Sequence, residues 1–171
     1  RVDRVLVLRV GKQPRVVEGA LPDIAILTDL VPRRTRIVGR EGTPVFGLDF
    51  AAVVDGWVAD AAITCFAGTP READRRMLEV AERALSAGIA AAVPGARLGD
   101  ISAAIGETVM AAGYGVNTQF GGHGVGRTMH GDPHVPNQGV AGRGTRIQAG
   151  LVVAIEPWFF RTGDRIRFDP D

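Results

Sequence analysis

The sequence predicts a domain of the α+β class, and two observations carry the prediction. Two apolar, β-branched runs at 45–54 and 57–66 flank an Asp-Gly pair, and two helix-length periodic segments then follow one another with no strand between them. Strands and helices segregated along the chain, rather than alternating, mark α+β architecture. The 171 residues suit one domain, and a composition 46% hydrophobic and 23% charged is globular and excludes a disordered tail.

The elements follow in order. Residues 4–10 read as a short strand, whereas Pro14, Pro22, Pro32 and Pro44 interrupt every pattern over 13–44. Val45–Val54, Asp55-Gly56 and Trp57–Phe66 read as a hairpin with a two-residue turn. Thr69 then offers an N-cap, Pro70 suits the first helical position and Glu72 completes a capping box, so a helix is predicted to about Ala92, ahead of Pro94-Gly95. Its inner stripe is Met77, Val80, Ala81, Ala84 and Leu85, with Glu72, Arg75, Glu79 and Arg83 toward water. A second helix starts near Asp100, presents Ile101, Ile105, Val109 and Ala112, and stops at Gly113. A Gly-rich stretch over 114–136 precedes a strand at Leu151–Phe160 and, past a Gly163-Asp164 turn, a partner strand at Arg165–Phe168.

Charge excludes some functions. The net charge is +1, which gives no overall field to recruit nucleic acid. Residues 1–40 carry nine basic and four acidic side chains, against eleven and fifteen over 41–171. The chain therefore divides into a basic N-terminal segment, 1–40, read as a solvated arm, and a domain over 41–171. Only Arg33, Arg34 and Arg36 cluster, and the arm lacks the aromatics that would stack on bases. The apolar runs are too short to span a bilayer and no signal peptide is expected. The one cysteine, Cys65, cannot form an internal disulfide, which suits the cytoplasm.

Chemistry concentrates at three places. With Asp55 and Gly56 as the turn, paired positions across the hairpin sum to 111, so Asp49 faces Ala62 and Asp60 faces Ala51. The two aspartates then share one face as diagonal neighbours, about 7 Å apart or less at Cβ. Among Ala and Val such a pair is reached by water, keeps one proton, or holds a cation. Next, Gly121-Gly122-His123-Gly124-Val125-Gly126 sets an imidazole among four glycines, with His130 and His134 close behind. The context is wrong for a phosphate loop, since no Lys-Ser/Thr and no strand-turn-helix surrounds it. Last, Glu156 stands in the apolar run Leu151–Phe160, on the face of Val152 and Ala154. It takes a cation or a proton if buried, or lies exposed at a strand end beside Pro157. Asp49, Asp60, His123 and Glu156 together make an oxygen-rich donor set with one imidazole, suited to Mn²⁺, Co²⁺, Fe²⁺ or Zn²⁺. Two carboxylates spaced for bridging suggest two such ions, about 3.5–4 Å apart.

The pieces LDFAAVVDGWVAD, GGHGVGRTMHGDPHVPN and LVVAIEPW, in this order, resemble type I methionine aminopeptidases, metallopeptidases of the pita-bread fold, across residues 38–171. The resemblance implies a curved antiparallel sheet backed by helices, with Asp49 on a second metal, Asp60 bridging both, and His123 and Glu156 on the first. It implies His130 and Met129 in contact with substrate, and Glu156 and His130 as the catalytic groups. The cofactors would be two divalent ions, of which this chain's own ligands hold at least one. The reaction would remove the initiator methionine from nascent polypeptides when the next side chain is small. The expected partners are nascent peptide N-termini, met in the cytoplasm and in association with the ribosome. No specific nucleic acid, no membrane and a monomeric state complete the expectation.

Against that family the sequence is expected to be truncated or divergent at both ends. The family's fifth ligand, a bridging glutamate on a later strand, falls beyond Asp171, so the fold is expected to be incomplete at the C-terminus and the chain at best weakly active. The family's upstream His-Gly-Ile-Pro appears as Asp29-Leu30-Val31-Pro32, and its His-Glu-x-Pro as His130-Gly131-Asp132-Pro133. Two other readings stand beside this one: an Xaa-Pro-type peptidase of the same fold, and a non-catalytic domain that binds peptides or a protein partner.

Overall fold

A computed structural model of the chain describes residues 6–8, 45–66 and 69–163. Strand β1 (Leu6–Leu8) is followed by the hairpin β2 (Val45–Val54) and β3 (Trp57–Phe66), helices α1 (Glu72–Ala91) and α2 (Leu98–Ala111), and five short strands. These are β4 (Gly115–Val116), β5 (Gly121–Gly124), β6 (Gly131–Pro136), β7 (Val152–Ala154) and β8 (Phe159–Phe160). One sheet has the order β1-β7-β5-β6, in which β1 runs parallel to β7 and the other pairings are antiparallel. The hairpin and the β4–β8 pair are separate two-stranded ladders.

The hairpin follows from its turn. Asp55 and Gly56 both have positive φ, 50° and 76°, which two-residue turns need to match the strand twist. The register then runs from Val54 opposite Trp57 to Val45 opposite Phe66, with Asp49 opposite Ala62 and Asp60 opposite Ala51.

The core is built where α1 and α2 cross beneath the four-stranded sheet. Val80, Ala84 and Leu85 of α1 meet Ile101, Ile105 and Val109 of α2, and the cluster continues into Val135, Ile147, Val153 and Ile155. The predicted α2 face is therefore the buried one, with Ala112 packed at its edge. On α1, Met77 and Ala81 are half-buried beside the stripe. Gly88 completes that stripe, because a Cβ there would stand 3.0 Å from Ile105 and hold the helices apart.

Several boundaries differ from expectation. Helix α1 begins at Glu72 with Arg71 in the capping position, not with Thr69 and Pro70. Glu72 turns forward to Arg75 at 2.6 Å instead of back toward a cap, and Asp74 pairs with Arg71 at 2.6 Å. Helix α2 starts two residues before Asp100, which becomes the third residue of a capping box and accepts the Arg97 N–H at 2.7 Å. The Gly-rich stretch, which carries no strand pattern in its sequence, contributes strands β5 and β6. A Cβ on Gly122 would collide with the carbonyl oxygen of Ala154, and one on Gly124 with that of Asp132. These glycines are thus the condition for close strand approach. The run Leu151–Phe160 is not one strand: it breaks into β7 and β8, with Glu156 in the break rather than on the face of Val152 and Ala154. Pro157 has no N–H for a ladder and restricts the residue before it. Strand β8 pairs with β4. The predicted strand at 165–168, the pattern over 13–44 and the arginine cluster 33–36 lie outside the described residues.

Candidate metal centre

Three elements bring three ligand-type side chains to one point. Asp60 comes from the middle of β3, His123 from β5 and Glu156 from the break after β7. One donor atom from each lies within 4.8 Å of the others. His123 Nε2 stands 3.0 Å from Glu156 Oε1 and 3.4 Å from Asp60 Oδ2. The β5–β7 register, with His123 opposite Ala154, is what delivers His123 to the segment carrying Glu156.

Hydrogen bonds orient both His123 and Glu156. His123 Nδ1 lies 3.0 Å from the Gly124 carbonyl oxygen, which can only accept, so Nδ1 donates there and Nε2 is the ring nitrogen turned toward the carboxylates. The Trp158 indole N–H donates to Glu156 Oε2 at 3.1 Å, leaving Oε1 toward His123. The fit to a divalent cation rests on this chemistry: two carboxylates and an imidazole nitrogen converge on one point. Their side chains are 18%, 11% and 28% exposed for Asp60, His123 and Glu156, so the cluster is recessed but not sealed from solvent.

The other predicted residues take distinct places. The ring of His130 meets that of His123 edge-on, with centroids 4.5 Å apart, and His130 itself is exposed. Met129 is half-buried next to it. His134 is exposed on β6 and lines a different cavity, of about 740 Å³, with Asp132, Thr145, Arg146 and Gln148. Asp49 holds the backbone position diagonal to Asp60 in the hairpin, and its side chain lies outside the described residues.

Residues that the sequence reading passed over surround this cluster. Phe120 is braced from both sides by buried asparagines: its N–H donates to Asn117 Oδ1 at 2.9 Å and its carbonyl accepts from Asn137 Nδ2 at 2.9 Å. Its ring packs against Trp158 with centroids 5.6 Å apart, so the brace reaches the indole that holds Glu156. Arg127 lies over Trp57 at the hairpin tip. Trp158 had a visible signal, its spacing of two residues from Glu156, and Asn117 acts only three residues away; Asn137 and Arg127 act on residues distant in sequence.

Comparison with known proteins agrees with this geometry. The description of metallopeptidase family M24 matches residues 30–169. Methionine aminopeptidase 1 of Mycobacterium tuberculosis (strain CDC 1551 / Oshkosh) is 47% identical over 116 residues, which are 64% of this chain and 44% of that protein. The crystal structure of methionine aminopeptidase from Thermotoga maritima superposes with a TM-score of 0.71 at 36% identity, covering 74% of this chain and 51% of that one. Prolidase from Pyrococcus furiosus superposes less closely, with a TM-score of 0.60 at 27% identity over 67% of this chain and 33% of that one. The chain spans about half the length of the curated relatives it matches.

Proposed function

This chain belongs to metallopeptidase family M24, and from that premise we propose that it serves a metal-dependent aminopeptidase that removes methionine from polypeptide N-termini. The observation that carries the reading is the convergence of Asp60, His123 and Glu156 with His130 standing beside His123. Sequences and structures of methionine aminopeptidases support the methionyl branch over the Xaa-Pro branch, since they match at higher identity and TM-score.

In this reading the residues divide the work. Asp60, His123 and Glu156 would hold one divalent ion, Mn²⁺, Co²⁺, Fe²⁺ or Zn²⁺, and Asp49 with Asp60 would serve a second. When bound, the ions polarise the scissile carbonyl and make a water beside it nucleophilic at neutral pH. Glu156 would take up the proton released by the attacking water and pass it to the leaving amine, with the Trp158 indole N–H on Oε2 holding the carboxylate in place. His130, exposed at the mouth of the cluster, donates a hydrogen bond to the substrate's peptide group. Met129 contributes to the wall that receives the methionine side chain. The substrates are N-termini of nascent chains, met at the ribosome in the cytoplasm by a monomer. Among the described residues no helix is long and apolar enough to cross a membrane.

The test joins binding to turnover. The 171-residue chain is titrated with Mn²⁺ by calorimetry and assayed for methionine release from Met-Ala-Ser. The His123→Ala variant is expected to lower Mn²⁺ affinity by about 100-fold and to abolish release, since a ligand matters at least as much as the outer-shell groups whose loss costs 10–100-fold. Cleavage of an Xaa-Pro dipeptide in place of Met-Ala-Ser would move the chain to the Xaa-Pro branch. Mn²⁺ binding unaffected by His123→Ala would overturn the centre itself.

A further inference from the structure

We infer that Arg127 is a positioning residue for the metal centre: it clasps the tip of the β2–β3 hairpin to the loop after His123 and so sets Asp60 against His123 and Glu156. The inference rests on the metal-centre reading above and concerns how one ligand is brought to the other two.

The problem it answers is geometric. His123 and Glu156 belong to one continuous sheet region, tied by the β5–β7 ladder. Asp60 belongs to a two-stranded ladder that shares no strand with that sheet. Backbone ladders therefore fix Asp60 within the hairpin but not relative to its partners. A metal site tolerates ligand distances only within about 0.2 Å, so a swing of the hairpin by even an ångström would remove Asp60 from the set.

Arg127 joins the two bodies. It stands four positions after His123, and its Nη1 donates to the carbonyl oxygen of Asp55 in the turn. Its guanidinium also lies over the Trp57 ring, 4.2 Å from the centroid. Next to it, the Gly126 carbonyl accepts the Val58 N–H at 2.8 Å. Residues 55–58 are thus gripped by residues 126–127, two positions before Asp60 on one side and three after His123 on the other. Gly56 is part of the fit, since a Cβ there would come within 2.7 Å of Arg127 Nη1. Arg127 is exposed, so its contacts do not serve the hydrophobic core. The chemistry asks for arginine: a planar fork can hydrogen-bond a carbonyl in its plane and stack on an indole with its face, and an ammonium cannot do both.

Linkage makes the inference testable in two directions. If the clasp sets Asp60, losing it weakens metal binding, and metal binding must tighten the clasp by the same factor. The experiment uses the 171-residue chain and Mn²⁺ alone, with Arg127→Ala, Arg127→Lys, Asp60→Asn and the double variant Arg127→Ala/Asp60→Asn. Calorimetry gives the Mn²⁺ dissociation constant and hydrogen exchange follows the Val58 amide. Arg127→Ala is expected to raise the dissociation constant about tenfold, with Arg127→Lys between it and the wild type. In the Asp60→Asn background the same substitution changes little. Mn²⁺ is expected to slow Val58 exchange in the wild type and not in Asp60→Asn. Unchanged affinity in Arg127→Ala overturns the inference alone, as does equal loss with and without Asp60 or equal Mn²⁺ protection of Val58 in both backgrounds. A wild-type chain that does not bind Mn²⁺ overturns the metal-centre reading together with it.

Discussion

At the hairpin tip Val53, Val54 and Trp57 are 63%, 57% and 57% exposed, whereas Val80, Ile101, Ile105, Val109 and Val153 in the helix-backed half are at or below 1%. The two regions hold their shapes by different means. The hairpin is specified by a turn and a register that run along its own length, with ten paired residues on each strand. The helix-backed half is specified by interlocking side chains from α1, α2, β6 and β7, which meet only when separate elements pack together. The centre takes Asp60 from the first region and His123 and Glu156 from the second. Two of the three side chains therefore inherit the rigidity of a packed core, and the third depends on how a locally built arm is docked.

The substitution expected to break this contrast most severely is Gly122→Val. A side chain there meets the Ala154 carbonyl oxygen and the Ile155 backbone, so β5 cannot lie against β7. Loss of a cooperative thermal transition is expected, with the far-ultraviolet signal of the sheet reduced; a variant that melts like the wild type would show that β5 can shift without cost. Next in size is a matched pair, Ile105→Ala in the core and Val53→Ala in the hairpin. The first should cost about 2–5 kcal/mol, or about 5–15 °C in the melting midpoint. The second, at an exposed position, should stay within about 0.5 kcal/mol. Comparable losses from the two would mean that the hairpin is packed as the core is, and the contrast would fail.

The smallest expected effect concerns Asp100, which caps α2. Its carboxylate accepts N–H groups from Arg97 and Gly142, and these, Arg97 first, hold its pKa below the ordinary 3.8. A depressed carboxyl contributes stability that is complete above its unfolded value and is lost as pH falls through its folded value. Asp100→Ala should therefore lower the melting midpoint by a few degrees at neutral pH, with the gap to the wild type closing as pH drops below 3.8. A gap that persists unchanged in acid would assign the effect to helix propensity instead of the carboxylate.

How much was legible follows the same division. The hairpin register, including Asp60 opposite Ala51, could be read from the sequence because a two-residue turn with positive φ at both positions determines every pair along both strands. The apolar faces of α1 and α2 were legible because a 3.6-residue period reports which side is buried before the partner is known. The resemblance to a metallopeptidase family was legible because its motifs are short and contiguous, and they contain Asp60, His123 and Glu156. The strands β5 and β6 were not, because glycine shows no alternation, and the reason for Gly121, Gly122 and Gly124 is a carbonyl, of Val135, Ala154 and Asp132 respectively, that comes into contact only after folding. Nor was the break around Glu156, where an apolar run that reads as one strand is split between two ladders by Pro157 and by the separate partners of β7 and β8. Local periodicity and turn geometry belong to the sequence, since they depend on bonds between near neighbours. Convergence of Asp60, His123 and Glu156 belongs to the tertiary structure, since it depends on the docking of one ladder against another, which no neighbouring residue encodes.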